Sequence, residues 1–393
     1  MKAHCEVCFF FDVFLISLSR LIGSFINMLI TLLSILICVF YSILVFIFTV
    51  GWKRMPLFQP IENYNPISKP SASVVVACKN EEHSLPNLLS RLQLQSCTDF
   101  ELILVNDHST DSTIYVMEAA LAKFENVKVI NAMGDGKKNA LKEGISIATG
   151  SLIITTDADC TLLSDWLMMI CSFQQSHVSD LIICPVQLFD NKSLFARLQA
   201  FEFTTLVAAG AGAVGAGMPI LCNGANLAFT KQAWLESKHD LVDEQMSGDD
   251  IFLLQSIKKR GGVIRFLKSE SAIVFTEPAK TFTAFFKQRR RWASKSPAYS
   301  DVQLIVTTCV VFGISSSILI LMLSSLFSTQ LLFVSISIFG IKYLVDVFFL
   351  YSVRSFFHVK HLWFYSFLLS ILYPFYILSV AGSALVFKSK SWK

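Results

Sequence analysis

The sequence has little charge for its length. Of its 393 residues, 16% are charged and 53% are hydrophobic. Ordinary soluble domains carry roughly 25% charged residues, so this composition excludes a wholly soluble chain, and the high hydrophobicity excludes a disordered one. Of the 62 charged residues, 51 lie between residues 53 and 301, with 25 basic and 26 acidic. A nucleic-acid-binding protein concentrates basic charge on its folded part, so no nucleic-acid partner is expected.

Two common nucleotide-binding motifs are absent from the places where they would act. No G-x-G-x-x-G follows the first predicted strand, and G-x-x-x-x-G-K-[ST] does not occur, which argues against a dinucleotide fold and a P-loop. Of the ten cysteines, only Cys5 and Cys8 have the spacing of a metal-ligand pair. We therefore expect free thiols rather than a zinc or disulfide framework.

Long uncharged runs predict membrane helices. Residues 21–52, 302–341 and 362–387 contain no charged residue. About 20 apolar residues cross a bilayer, so the 40-residue middle run is too long for one helix, and its serine-rich centre predicts a hairpin. We predict four spans, near 24–50, 303–323, 331–351 and 363–386. The first apolar run is much longer than that of a signal peptide.

Basic residues predict the orientation of these spans. Lys53 and Arg54 end the first span, and a basic cluster at 287–295 precedes the second. Positive residues stay in the cytoplasm, so the middle region should face the cytoplasm and the chain should be a multi-pass protein of the plasma (inner) membrane. The basic residues at 388, 390 and 393 then fall on the wrong side. Either the last segment, interrupted by Pro374, is re-entrant, or the tail is an exception.

The hydrophobic pattern divides the chain into an N-terminal segment with a membrane helix (1–52), a linker (53–70), a cytoplasmic domain (71–301) and a membrane region (302–393). Within the cytoplasmic domain, strands are predicted at 73–77, 101–105, 127–130 and 152–156. They alternate with helices at 85–94, 110–123 (capped by Ser109 or Thr110) and 137–148. This alternation predicts an α/β fold with a mainly parallel sheet covered on both faces.

Ligands of such sheets bind beyond the carboxyl ends of the strands. Polar residues follow three of the predicted strands: Lys79 and Glu81 after the first, Asp107 after the second, and Asp157 with Asp159 after the fourth. A D-x-D pair can hold a divalent cation and leave positions open for phosphate oxygens. Such residues also form turns or cap helices.

Four further features have two interpretations each. Asp249 and Asp250 precede a predicted helix at 251–259, as caps or as a proton acceptor. The element containing Gln288, Arg291 and Trp292 is a topology signal or a site for phosphate and sugar. The small-residue stretch 208–217 is a packing or mobile loop, or a lid. Lys342 and Asp346 form an ion pair, or lie on a substrate path.

Seven motifs occur in order along the middle region, and together they resemble family 2 glycosyltransferases. They are Cys78-Lys79-Asn80-Glu81-Glu82, Asn106-Asp107-His108-Ser109-Thr110-Asp111, Gly136-Lys137-Lys138-Asn139-Ala140-Leu141, Asp157-Ala158-Asp159, Asn223-Gly224-Ala225-Asn226, Gly248-Asp249-Asp250 and Gln288-x-x-Arg291-Trp292. The last is similar to the signature of the membrane-integrated branch, which includes polysaccharide synthases and ceramide glucosyltransferases. The resemblance implies a GT-A-like nucleotide-sugar-binding domain, with one membrane helix before it and about three after it.

The resemblance also implies roles for individual residues. Asp107 would bind the uridine base, Lys137 the diphosphate, and Asp157 the nucleotide-sugar, with Lys79 and Glu81 nearby. Asp159 would ligate Mg²⁺ or Mn²⁺, and Asp250 would be the general base. The diphosphate and acceptor would be bordered by Asp249, Gln288, Arg291 and Trp292. The sequence departs from the family at Asn106, where the family usually has Asp.

The resemblance implies inverting, metal-dependent transfer of a hexosyl or N-acetylhexosaminyl group from a nucleotide-sugar. The expected donor is a UDP-sugar. The acceptor would be lipid-linked or a growing saccharide at the cytoplasmic membrane face. Two alternatives stay open: a processive polysaccharide synthase subunit, and an inactive nucleotide-sugar-binding scaffold of a synthase complex. A homo-oligomer or a synthase-complex partner is also open.

Overall fold

A computed structural model describes residues 2–60, 71–189, 193–237 and 249–386; within these ranges the side chains of 2–17, 19, 20, 249, 297 and 384–386 lie outside the description. The elements are α1 (Lys2–Arg54), β1 (Ala72–Cys78), α2 (Leu85–Gln93), β2 (Glu101–Asn106), α3 (Thr113–Ala120), β3 (Val127–Asn131), α4 (Lys137–Ile147), β4 (Leu152–Thr156), α5 (Trp166–Ser176), β5 (Leu181–Ile183), β6 (Val186–Leu188), α6 (Leu194–Gly215), β7 (Asn226–Thr230), α7 (Lys231–Ser237), α8 (Asp249–Lys259), β8 (Ile264–Phe266), β9 (Val274–Thr276), α9 (Phe282–Ala293), α10 (Val302–Ser324), α11 (Thr329–Val353) and α12 (Leu362–Val386).

The predicted parallel sheet is confirmed. Seven strands lie in the order β3-β2-β1-β4-β7-β5-β8, and β1 pairs in parallel with both β2 and β4. Only β7 runs antiparallel to its neighbours. Every residue of β1, β2 and β4 is buried, as expected for strands covered on both faces. A second, two-stranded sheet pairs β6 with β9.

The four predicted strands match β1 to β4 to within one residue at either end. The prediction for the second helix is less accurate, because α3 begins at Thr113 and its N-cap is Ser112. Ser109 and Thr110 are not its caps. Instead the Ser109 hydroxyl accepts a hydrogen bond from Asn80 N, and Thr110 N donates to Asn80 Oδ1, so both residues join the loops after β1 and β2.

Of the interpretations of residues 208–217, close packing is confirmed, whereas the mobile loop and the lid are wrong. Most of the stretch is the last two turns of α6, and its small residues pack this helix against α1. A Cβ on Gly212 would lie 2.4 Å from Phe48 O, and one on Gly215 would lie 2.2 Å from Gly51 O. The two helices therefore touch backbone to backbone, which Gly permits and larger residues prevent.

Four helices of the described chain are long and apolar enough to cross a membrane: the 21–54 part of α1, then α10, α11 and α12. They match the four predicted spans. α12 continues through Pro374 as one helix of 25 residues, which is long and apolar enough to cross a membrane. The basic residues Lys388, Lys390 and Lys393 lie outside the described residues.

The membrane helices are attached to the α/β part at one end. Nζ of Lys268, which follows β8, donates to the carbonyls of Trp52 and Met55, and the indole N–H of Trp52 in turn joins α1 to α11 by donating to Ser352 O at 3.1 Å. Gln187 donates to Phe357 O at 2.8 Å. The end of α1 and the connection between α11 and α12 therefore contact the α/β part of the protein.

The predicted ion pair between Lys342 and Asp346 is confirmed, with Nζ and Oδ2 2.6 Å apart. Asp346 also accepts a hydrogen bond from the Tyr41 hydroxyl of α1. Because polar groups in a bilayer need partners, this triad joins α1 to α11 in the membrane region.

Candidate active site

One cleft lies beyond the carboxyl ends of β1 and β4, bounded by α4, α8 and α9. Its volume of about 280 Å³ is near the lower limit of ligand pockets, roughly 300 Å³. The structure brings eight of the predicted site residues to its walls: Glu81, Lys137, Asp157, Asp159, Asp250, Gln288, Arg291 and Trp292.

The acidic wall of the cleft contains Asp157, Asp159 and Glu81. Nζ of Lys137 forms an ion pair with Asp157 Oδ1. Enclosure by the cleft, with the charges of Asp157 and Glu81, raises the pKa of Asp159 to about 6, although Lys137 opposes this shift. Burial alone would lower the pKa of Lys137, but the pair with Asp157 and the charges of Asp250 and Asp159 raise it. Three carboxylates beside one lysine suit a divalent cation, which prefers oxygen ligands.

Asp107 is not among the described residues that line this cleft. It is fully buried, and its carboxylate accepts a hydrogen bond from Gly136 N at 2.9 Å, while Oδ2 lies 3.4 Å from Nζ of Lys79. β1 lies between β2 and β4, so the ends of β2 and β4 are two strand spacings apart, roughly 10 Å. Asp107 and Lys79 therefore form a neighbouring group, separated from Asp157 by the start of α4.

A second group of possible metal ligands surrounds Asp107. Ligand atoms of Asp107, His108 and Asp135 all lie within 4.8 Å of one another. This group is separate from the D-x-D pair, and the Asp135 carboxylate is almost fully exposed.

The loops that carry these groups have constrained backbones. Asn80 and His108, which follow β1 and β2, adopt positive φ angles of 54° and 53°. Such conformations cost energy in residues other than glycine and are common at functional sites. Asn106 helps to hold this region, since its amide donates to Asn131 Oδ1 and accepts from Ser109 N.

Asp250 lies at the start of α8, beside the residues that precede β7. Its Oδ2 accepts a hydrogen bond from Gly224 N at 3.0 Å, and its Oδ1 accepts one from Ile251 N at 2.9 Å. These bonds orient the carboxylate at the positive end of a helix. The side chain of Asp249 lies outside the described residues, as do Asp243, Glu244 and Gly248 of the same acidic segment.

The signature residues form one face of α9. Thr281 caps this helix by accepting from Ala284 N at 3.1 Å. Gln288, Arg291 and Trp292 follow at spacings of three and one residues, so they face the cleft together. Burial lowers the pKa of Arg291, an effect opposed by the charge of Asp157. Arg291 is therefore close enough to Asp157 to interact with its charge, so the signature face of α9 lies near the D-x-D pair.

Three charged residues of the cleft were not predicted from the sequence: Glu277, Arg289 and Lys295. Arg289 lies within the basic cluster that topology alone explains, so its charge gave no separate signal. Its spacing from Phe285 and Trp292, four residues after one and three before the other, places all three on one helical face and was the available sign.

The matches to known protein families agree with this geometry. The profile described as "Glycosyl transferase family 2" matches residues 73–225. The profile described as "Glycosyl transferase family group 2" matches residues 152–387, more than half of the chain. The chain belongs to the family 2 glycosyltransferases. The D-x-D pair lies within both matched ranges, and α9 with the last three membrane helices lies within the second.

Two curated relatives of this glycosyltransferase illustrate the range of the family. The undecaprenyl-phosphate 4-deoxy-4-formamido-L-arabinose transferase of Proteus mirabilis (strain HI4320) is 40% identical over 93 residues, covering 22% of this chain and 28% of that protein. The poly-β-1,6-N-acetyl-D-glucosamine synthase of Staphylococcus aureus (strain COL) is 24% identical over 225 residues, covering 56% and 53%. The chain thus spans about half or less of the length of these relatives.

A solved structure confirms the predicted GT-A-like fold. The mannosyltransferase PcManGT from Pyrobaculum calidifontis, in complex with GDP-Man and Mn²⁺, superposes with a TM-score of 0.57 at 14% identity. The match covers 91% of this glycosyltransferase and 99% of the other chain. At this identity, the likeness concerns the fold.

Proposed function

We propose that this glycosyltransferase moves a sugar from a nucleotide-sugar, for preference a UDP-sugar, to a lipid-linked or growing saccharide acceptor at the cytoplasmic membrane face. The observation that carries the proposal is that Lys137, Asp157, Asp159 and Asp250 share one cleft with the signature face of α9. These residues are far apart in sequence, and each has a distinct chemical use in this reaction.

The donor would lie along the acidic wall. Lys137 carries a positive charge beside Asp157 and would contact the diphosphate, and Arg291 would add a second cation. Asp107 and Lys79, beyond the start of α4, would contact the base of the nucleotide, with Glu81 at the boundary between the two groups. The PcManGT structure was solved with GDP-Man and Mn²⁺, which supports a nucleotide-sugar and a divalent ion in this fold.

Asp159 would hold Mg²⁺ or Mn²⁺, with Asp157 and Glu81 close by. Burial and the charges of Asp157 and Glu81 raise the pKa of Asp159, and this excess of negative charge supports a cation at this position. A bound divalent ion would neutralise the charge of the departing diphosphate. The Asp107, His108 and Asp135 group is the competing position.

Asp250 is proposed as the general base. It would accept the proton of the acceptor hydroxyl while that oxygen forms the new bond to the anomeric carbon and the nucleotide diphosphate leaves from the opposite face. The described cleft offers one carboxylate at a helix start, held by two backbone N–H groups, apart from the D-x-D wall. A single displacement of this kind inverts the anomeric configuration.

The acceptor would approach from the membrane. α9 ends at Ala293 and α10 begins at Val302, so the end of the helix that carries the signature face lies nine residues before a membrane helix. Gln288, Trp292 and Asp249 would border this approach. The two relatives, one named for undecaprenyl phosphate and one for a polysaccharide, support an acceptor of either kind. Retention of both the D-x-D pair and Asp250 favours an enzyme over an inactive scaffold.

The test uses the full chain in lipid nanodiscs with UDP-glucose, UDP-N-acetylglucosamine or GDP-mannose, each with Mg²⁺ or Mn²⁺. Mass spectrometry should find transferred sugar in the lipid or polymer fraction, and ¹H NMR should show a β linkage from an α-linked donor. Asp250→Asn should abolish both, whereas Asp99→Asn, in the exposed loop before β2, should abolish neither. Release of free monosaccharide alone from every donor would refute the proposal.

A further inference from the structure

Arg289 is the most enclosed basic residue of α9. Its side chain is 3% exposed although it borders the cleft. The guanidinium carbon lies 4.2 Å from the ring centroid of Trp292 and 4.9 Å from that of Phe285, on the same helical face. A planar guanidinium stacks on aromatic rings in a way that a lysine ammonium does not.

The charge of Arg289 is balanced from another helix. Its Nη2 forms an ion pair with Glu202 of α6, and its Nη1 donates to Gln288 Oε1 at 3.2 Å. Glu202 also has a side-chain hydrogen bond with Tyr376 of α12, and the rings of Tyr376 and Phe285 lie 5.7 Å apart. Arg289 is therefore the point at which α6, α9 and a membrane helix meet.

Trp292 lies in contact with this group of residues. Its indole lies against Arg289 on one side and 6.2 Å from the Phe203 ring of α6 on another, and it is half-buried at the cleft. A buried ion pair is costly to form and gains little net stability, whereas removing one partner leaves an uncompensated charge. However, the contacts of Arg289 with Glu202 of α6 and with Trp292 of α9 restrict how the two helices and the indole can be oriented.

We propose that Arg289, together with Glu202, is a positioning residue that holds the Trp292 indole as a stacking surface for a sugar ring of the acceptor. Arg289 acts through Trp292 and does not itself take part in the chemistry. The inference rests on the proposed function for the identity of the ligand, but the positioning of the indole can be tested without turnover.

The first experiment is ¹⁹F NMR of the full chain labelled with 5-fluorotryptophan in nanodiscs. The protein has six tryptophans, and Trp292→Phe assigns the relevant signal. The wild type should give one narrow Trp292 line. Arg289→Met and Glu202→Gln should broaden or split it and increase its H₂O/D₂O isotope shift, because the indole gains mobility and water. Lys287→Met, an exposed charge on the same helix, is the matched control and should leave the line unchanged.

Arg289→Lys separates charge from shape. It keeps the cation near Glu202 but loses the planar stack, so the Trp292 line should be intermediate between the wild type and Arg289→Met. Should Arg289→Met fail to fold, Arg289→Lys and Glu202→Gln carry the test. An unchanged, single Trp292 line in the folded Arg289 and Glu202 variants would overturn the proposal.

The second experiment compares two rates with UDP-N-acetylglucosamine as the probe: UDP release by hydrolysis in pure phosphatidylcholine nanodiscs, and transfer to acceptors in native membranes. Arg289→Met should lower transfer about 10-fold or more, since small misplacements at a reacting centre are costly, while hydrolysis stays within about twofold of wild type. An equal loss of both rates would overturn the proposal. Absence of transfer in the wild type would count against the proposed function alone, because the NMR result stands independently.

Discussion

The backbone N–H of Gly224 donates a hydrogen bond to Oδ2 of Asp250 at 3.0 Å. Gly224 precedes β7, and β7 pairs with β4, which leads into the D-x-D pair. The hydroxyl of Thr155 in β4 also donates to Gly224 O at 2.8 Å. The proposed base and the proposed metal ligand are thus fixed to the same pair of strands.

Replacing Asp250 by Asn should remove the proton acceptor and keep the side-chain shape. We expect kcat to fall by about 10²-fold or more, the scale of a general base, with nucleotide binding retained. Titration with UDP by calorimetry and a turnover assay measure the two quantities. Normal turnover in Asp250→Asn would exclude Asp250 as the base.

Replacing Asp159 by Asn should weaken metal binding in the cleft. The Mn²⁺ concentration for half-maximal UDP release should rise by about 10-fold or more, since even outer ligand-shell changes cost that much. Asp135→Asn, in the group around Asp107, is the comparison and should shift this concentration little. The reverse result, with Asp135 sensitive and Asp159 insensitive, would move the metal to the Asp107 group.

Glu101 supports the amino-terminal edge of the sheet. It is buried, and burial raises its pKa, but Lys128, the Ser73 hydroxyl and Thr149 N favour the charged form and lower the pKa from 4.5 to about 2. A depressed pKa means that the charge stabilises the fold above pH 4.5 and that this stabilisation disappears as the pH falls toward 2.

Glu101→Gln should therefore destabilise the protein by about 1–3 kcal/mol at pH 7, and the difference from wild type should shrink between pH 4.5 and 2. Thermal unfolding midpoints at pH 7, 5, 4 and 3 measure this. A difference that stays constant over the whole range would show that the charge of Glu101 is not responsible.

The contact between α1 and α6 should tolerate no added carbon. Gly212→Ala would place a Cβ 2.4 Å from Phe48 O, and overpacking of this kind costs about 1–3 kcal/mol. Gly340→Ala in α11, where nothing lies within 4 Å of the added carbon, is the matched control. The thermal midpoint in nanodiscs should fall for Gly212→Ala only; equal midpoints would show that the helices separate without cost.

Local pattern was sufficient for β1 to β4 and for the membrane spans, because their burial produces long apolar runs. It failed for the end of α6. Alanine and glycine between 208 and 217 predict flexibility when only neighbours in sequence are considered, yet their small size is set by contact with α1, more than 150 residues earlier. The three-residue strands β5, β6, β8 and β9 are too short to give a periodic signal.

Of the predicted site residues whose side chains the structure describes, all except Asp107 and Lys79 line one cleft. Asp107 ends a strand just as Asp157 follows one, and sequence alone gives no strand order. Only the pairing of β1 with both β2 and β4 shows that another strand separates the two carboxylates. Arg289 was missed for a related reason, since its stacking on Trp292 and its pairing with Glu202 depend on how α9 packs against α6.

The glycine crossing between Gly51 and Gly212 also has a consequence for biosynthesis. α1 is synthesised roughly 160 residues before the part of α6 that packs against it, so it enters the membrane without its partner at Gly51. Removing α1 to obtain a water-soluble enzyme would therefore leave the backbone of α6 exposed at Gly212 and Gly215, without its partner helix.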